Sequence, residues 1–129
     1  MSHSKTEFWQ PVNLYMDKSP KKFLEDILTA INHVEGFVNN HPKRFDYFCE
    51  DTCYSSAVKY QIAVIGEAVS QLKKLEPSIT ITNARKIIDT RNYIIHAYDS
   101  LRLDILWSIV MNHLCLLKRE VETLLLQYP

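Results

Sequence analysis

Glycine is nearly absent from this chain, and that scarcity restricts its architecture more than any other property. Hairpin-built folds place Gly, Asn-Gly or Asp-Gly at the positive-φ positions of their turns. The sequence offers only Gly36 and Gly66, neither in such a dipeptide. Helices joined by short connections are what remains. The 129 residues, 47% of them hydrophobic, suffice for one domain with a core of its own.

Apolar spacing locates the helices. Residues 1–18 carry Phe8, Trp9, Val12, Leu14 and Tyr15 without periodicity, which predicts an N-terminal arm packed on the body or on another chain. The domain proper, 19–129, opens at Ser19-Pro20, a capping side chain followed by a residue with φ already set. A first helix follows from Phe23, Ile27, Ala30 or Ile31, Val34 and Val38, and Asn39-Asn40-His41-Pro42 stops it. Lys43 to Glu50 reads as a short aromatic turn of helix. A long helix from Asp51-Thr52 to just before Pro77 carries the stripe Tyr54, Ala57 or Val58, Ile62, Ile65, Ala68 or Val69, Leu72 and Leu75. The next is capped by Thr82 or Asn83, shows Ala84, Ile87, Ile88, Ile94 and Ile95, and is interrupted at Asp99-Ser100. A last, continuous helix runs from about Leu101 or Leu103 to Tyr128 through Leu106, Ile109, Val110, Leu117, Val121, Leu124 and Leu125. The fold class expected is all-α: an antiparallel up-and-down bundle of four main helices, four to five in all.

Fifteen basic and fifteen acidic side chains cancel, so bulk charge draws the chain toward neither nucleic acid nor an anionic membrane. The balance is uneven, however. Lys59 to Arg91 holds six basic and three acidic residues, and Lys73, Lys74, Arg85 and Lys86 within it are candidate phosphate contacts. No apolar run approaches the ~18 residues of a membrane span and no signal-peptide core is present, so a cytoplasmic protein without a membrane partner is expected. Three cysteines, an odd number, fit a reducing compartment, with Cys115 in a helical apolar pattern. Cys49 and Cys53 stand four residues apart without a second ligand pair nearby, so neither a metal nor a cofactor is expected.

The most informative stretch is Ile87 to Tyr98, because Arg91 falls in the middle of the isoleucine face. A guanidinium does not lose its charge, so on an apolar face it pairs with an acid such as Glu67 or Asp104, or else forms an anion site at a cleft or interface. Gly66 beside Glu67 would allow the close helix approach that such a pair needs. His96, five residues on, lies about 140° around the helix and shares the opposite face with Arg85, Asp89 and Asn92. The two cannot converge on one small group within a single regular helix. They could do so where the helix ends, or where two copies meet across a dimer axis. His96 alone reads equally as a capping or solvent-facing histidine. His33, His41 and His113 lack partners at catalytic spacing, and His113 reads as a core or interface histidine.

Arg91-Asn92, a three-residue spacer, then His96-Ala97-Tyr98 resembles the signature of the HEPN superfamily, and of its HepT-like toxin branch in particular. Further blocks agree: Phe23 to Ile27, Ala57-Val58 with Ile65 to Ala68, and Asp104 to Trp107, all within residues 20–127. The resemblance implies a homodimer with the motif near the subunit interface. It further implies metal-independent RNA cleavage by Arg91 and His96 with Asn92 as polar helper, in a toxin of a type VII-like toxin-antitoxin system. The antitoxin implied is a minimal nucleotidyltransferase that transfers AMP to Tyr98. Ala97 stands where many such sequences have Gly, Arg102 where they have Asp, and Ile81-Thr82-Asn83 where they have Trp. Two readings compete: a non-catalytic HEPN module that binds nucleotide or a nucleotidyltransferase, and a purely structural bundle with Arg91 salt-bridged inside the monomer and His96 remote from any cleft.

Overall fold

A computed structural model of the protein describes residues 19–96 and 102–129. Six helices and no strand are found among them: α1 Pro20–Asn39, α2 Phe45–Glu50, α3 Thr52–Leu75, α4 Ala84–His96, α5 Leu103–Asn112 and α6 Leu114–Leu125. This is the all-α bundle that the periodicity predicts. The expected N-terminal arm and the interruption at Asp99-Ser100 lie outside the described residues.

Local chemistry sets the helix ends. Ser19 Oγ accepts the Lys22 N–H at 3.2 Å, and Pro20 fills the first turn. Asp51 does two jobs at the α2/α3 junction: its N–H closes α2 on the Tyr47 carbonyl, while its carboxylate accepts the Tyr54 N–H at 3.0 Å and caps α3. Cys49 and Cys53 thus stand on different helices, both as free thiols. The Asn83 carbonyl accepts the Ile87 N–H and starts α4. Thr82 points elsewhere, donating through its N–H (3.2 Å) and its hydroxyl to Glu120 of α6.

The central element is α3, which packs chiefly on α1 and α4 and more lightly on α2 and α5, while α6 lies against α1. The predicted stripes supply the core: Phe23, Ile27, Ile31, Val34 and Val38 of α1 meet Val58, Ile62, Ile65, Val69 and Leu72 of α3, all buried. Phe48 of α2 is fully buried, 5.0 Å between ring centroids from Trp107 and 5.1 Å from Tyr54, and so links α2, α3 and α5.

Three details depart from expectation. Leu75 does not extend the core stripe; with Lys73 and Lys74 it is exposed in a last turn that runs past its packing partners. Cys115 is exposed rather than part of the apolar face. The last helix is broken at His113, whose φ of −123° leaves helical geometry. The cause lies in the phase of the stripe. Leu106 and Ile109 are followed by Leu114, Leu117 and Val121, and the five-residue step from Ile109 to Leu114 turns the stripe, so that in an unbroken helix the second set would be centred about 80° off the first. Breaking the helix lets α5 face α2, α3 and α4 while α6 faces α1.

His113 sits at this break, half-buried, as the sequence predicts for a core or interface histidine. Burial, together with the nearby Lys86 ammonium, holds its imidazole pKa below the ordinary value. The folded protein therefore binds fewer protons here than the unfolded chain, so stability is lost as pH falls through the unfolded histidine value of about 6.5. We expect His113→Gln to lose less melting temperature than the parent protein between about pH 7.5 and about pH 5.5. Parallel losses in the two proteins would show that His113 contributes nothing to the acid sensitivity.

Candidate active site

Close packing of α3 on α4 determines where the motif side chains stand. At Gly66 an added Cβ would lie 2.3 Å from Arg91 Cβ, 2.9 Å from Arg91 Cγ and 3.1 Å from the Ile87 carbonyl oxygen. Only a residue without a Cβ allows the Arg91 stem to cross α3 at this level. The stem thus takes the place an isoleucine would hold on the apolar face, and the guanidinium emerges beside Glu67.

An ion pair between Arg91 Nη2 and Glu67 Oε1 joins the helices, with both side chains about one-quarter exposed (25% and 27%). The second Glu67 oxygen accepts Gln71 Nε2 at 2.9 Å, and Arg91 Nη1 donates to Asn92 Oδ1 at 2.6 Å. A polar chain therefore runs Gln71, Glu67, Arg91, Asn92 across the α3/α4 contact. Arg91 Nε is buried without a hydrogen-bond partner. Of the two acids considered from sequence, Glu67 is the partner; Asp104 instead receives a bidentate hydrogen bond from Arg102 (3.2 and 2.7 Å). Gln71 was not singled out, although its place one helical turn after Glu67 is the spacing at which such pairs meet.

His96 is the final residue of α4 and is exposed. Because α4 is helical throughout Ala84–His96, the angular separation from Arg91 persists, and the two side chains leave the helix on different faces. Tyr98 lies outside the described residues. Arg85 and Lys86 are exposed and line an open groove of about 540 Å³ between α4 and α5, together with Asp89 and Tyr93. Lys73 and Lys74 do not line it. They occupy the last turn of α3, where cations counter the negative end of the helix dipole. A second open groove, about 470 Å³ between α1 and α3, has Asp26, His33, Tyr60 and Glu67 on its walls, so the acid of the ion pair borders it. Among the described residues no group of three or more His, Cys, Asp or Glu side chains is arranged to hold a metal ion, and no described helix is long and apolar enough to cross a membrane.

The salt-bridged Arg91 meets one condition of the structural-bundle reading, so geometry within one chain does not by itself assign an activity. Comparison with known proteins does more. The "Ribonuclease HepT-like" family model matches residues 27–124. The "Probable ribonuclease HepT" of Thermococcus cleftensis is 33% identical over 113 residues, covering 84% of this chain and 98% of that protein. A Methanocaldococcus jannaschii protein named "Putative RNase MJ0127" is 30% identical over 112 residues, 84% of this chain and 88% of its own. A similarly named protein of Caldanaerobacter subterraneus is 26% identical over 113 residues, with 84% and 96% coverage. No solved structure matches the chain. The matched span takes in α3 and α4 whole, and with them Gly66, Glu67, Arg91 and His96, and on this agreement of sequence and fold the chain belongs to the HepT-like ribonuclease family.

Proposed function

We propose that this protein is a metal-independent endoribonuclease toxin whose Arg91 and His96 act on the phosphodiester backbone of RNA. The observation that carries the reading is an arginine set into the apolar α3/α4 contact, its stem admitted by Gly66 and its head held by Glu67 and Asn92, in a family of ribonucleases. Such a guanidinium is already oriented before substrate arrives, and pre-set charge is what stabilises a phosphoryl transition state.

The chemistry needs no metal. The ribose 2′-oxygen attacks the adjacent phosphorus as His96 takes its proton; the bond from phosphorus to the 5′-oxygen breaks, and that oxygen leaves with a proton drawn from solvent. The products are a 2′,3′-cyclic phosphate and a 5′-hydroxyl. Arg91 offsets the charge that grows on the non-bridging oxygens, with Asn92 fixing one arm of the guanidinium. The attacking group is the 2′-OH, so RNA is the substrate and DNA is not. Since Arg91 and His96 leave α4 on different faces, a homodimer that sets Arg91 of one copy against His96 of the other completes the site. Under the same reading Tyr98 accepts AMP from a minimal nucleotidyltransferase antitoxin, which places an anion where the RNA phosphate would bind.

One observation favours a non-catalytic binding module: both terminal nitrogens of Arg91 are already engaged within the chain. Incubation of the purified protein with single-stranded RNA in EDTA separates the readings. The nuclease yields fragments ending in cyclic phosphate and leaves a DNA oligomer of the same sequence intact; a module yields none. For the antitoxin, treatment with the cognate nucleotidyltransferase and ATP should add mass in units of AMP to the peptide containing Tyr98 and abolish cleavage. An unmodified Tyr98 peptide in a sample that cuts RNA overturns that part of the proposal.

A further inference from the structure

The groove between α4 and α5 has a composition that the Arg91/His96 chemistry does not use. At about 100° per residue, Arg85 and Asp89 fall within about 20° of His96 on the α4 surface, and Tyr93 lies about 60° away on the same side. Lys86 and Thr90 lie further round, so the Arg85/Asp89 edge of the groove is the one on the His96 side of the helix. Over the ~1.5 Å rise per residue, Arg85 stands roughly 16 Å from His96 along the axis, a span of a few nucleotides.

Its lining is ordered by chemistry. At the start of α4 the groove has Asn83, Arg85 and Lys86. Both cations are exposed, and neither forms an ion pair among the described residues. Asp89 follows one turn on and Tyr93, a residue 38% exposed, a further turn on, while Ile105 of α5 adds an apolar side chain to the lining. Thr90 turns its hydroxyl back to the Lys86 carbonyl at 2.8 Å, so that donor is used within the helix. Phosphates are attracted at the Arg85/Lys86 end and repelled by Asp89, whereas a base meets an aromatic face at Tyr93 and a hydrogen-bond acceptor at Asp89. Cation, acid and aromatic in that order match the alternation of backbone and base in an extended single strand.

We propose that this groove is the substrate channel for single-stranded RNA leading to His96, with Arg85 and Lys86 holding backbone phosphates, Tyr93 stacking one base and Asp89 accepting from that base's amino or imino group. The inference rests on the nuclease reading and deepens it. It gives the cleaved strand a path on the protein and makes Asp89 and Tyr93 the residues that select the base nearest the cut.

A single-stranded DNA oligomer is the probe, because the contacts proposed here involve phosphate and base and not the 2′-OH, so it binds without being cut. Fluorescence anisotropy of a labelled 12-mer should show Arg85→Ala/Lys86→Ala binding at least about tenfold more weakly than the parent protein. The slope of log affinity against log salt should fall by about 1.4, two single-strand phosphate contacts. Tyr93→Leu should weaken binding at least about fivefold, and Tyr93→Phe should restore it, since Phe keeps the stacking face. Lys73→Ala/Lys74→Ala, off the groove, serves as the charge-matched control and should keep the parent salt slope. Parent-like affinity and slope in the Arg85/Lys86 variant, or equal loss in both double variants, overturns the channel. Equal affinity of Tyr93→Leu and the parent overturns the stacking role. Failure of the parent protein to cut RNA in EDTA while binding the oligomer overturns the nuclease reading and leaves the groove as a strand-binding site.

Discussion

Arg91→Ala and His96→Ala are each expected to lower RNA cleavage in EDTA by at least about a hundredfold, the usual scale for a lost proton-transfer or charge-stabilising group. Their structural costs differ. His96 is exposed at the end of α4, so its replacement should leave the melting temperature nearly unchanged. Arg91 is embedded in the α3/α4 contact, and its loss leaves the half-buried Glu67 without its cation, with Gln71 as its remaining hydrogen-bond donor among the described residues. A further comparison tests the two-copy site. If two copies form the site, half of the dimers in an equal mixture of the variants are mixed. Each mixed dimer has one site in which intact Arg91 and intact His96 face each other, so activity should recover to about one-quarter of the parent level. If one chain furnishes a whole site, the mixture stays inactive. Parent-like activity in both single variants would show that the measured cleavage comes from a contaminant.

Gly66→Ala is expected to be damaging although it adds only a methyl group. In an exposed helix interior the change would gain about 1 kcal/mol from propensity. Here the new carbon meets Arg91 Cβ at 2.3 Å, far inside the ~3.5–4.0 Å of carbon contact. That neighbour is fixed to the α4 backbone and cannot rotate away, so the helices must separate. Overpacking of this kind costs about 1–3 kcal/mol and sometimes more. We expect a net loss of about 2 kcal/mol, a fall in melting temperature of several degrees, and activity reduced about a hundredfold as the Arg91 head moves by about an ångström. An unchanged or higher melting temperature would mean that α3 and α4 do not approach this closely.

The helical frame was legible because its stripes are regular: the apolar positions of α1 and α3 from Phe23 to Leu72 keep three-and-four spacing and are buried as that spacing demands. The Gly66, Glu67 and Arg91 cluster was legible for a related reason, since a charge on an apolar face needs a partner and a glycine beside an acid offers one. What sequence reasoning missed depends on phase or on distant segments. The break at His113 follows from a five-residue step that looks tolerable until the two halves must face different helices. The α4/α5 groove needs Ile105 from a separate helix to become concave, so Tyr93 reads in sequence as a mere spacer between Arg91 and His96. Lys73, Lys74, Arg85 and Lys86 are alike in sequence by charge, and only the fold shows that Arg85 and Lys86 line this groove while Lys73 and Lys74 end α3.

The contact between Thr82 and Glu120 joins residues 38 positions apart and fastens the entrance of α4 to α6. A growing chain makes Arg85, Lys86, Arg91 and His96 before it makes Glu120. The carboxylate that holds the head of α4 therefore follows every residue of that helix, and the clamp at its start closes only once α6 has been made.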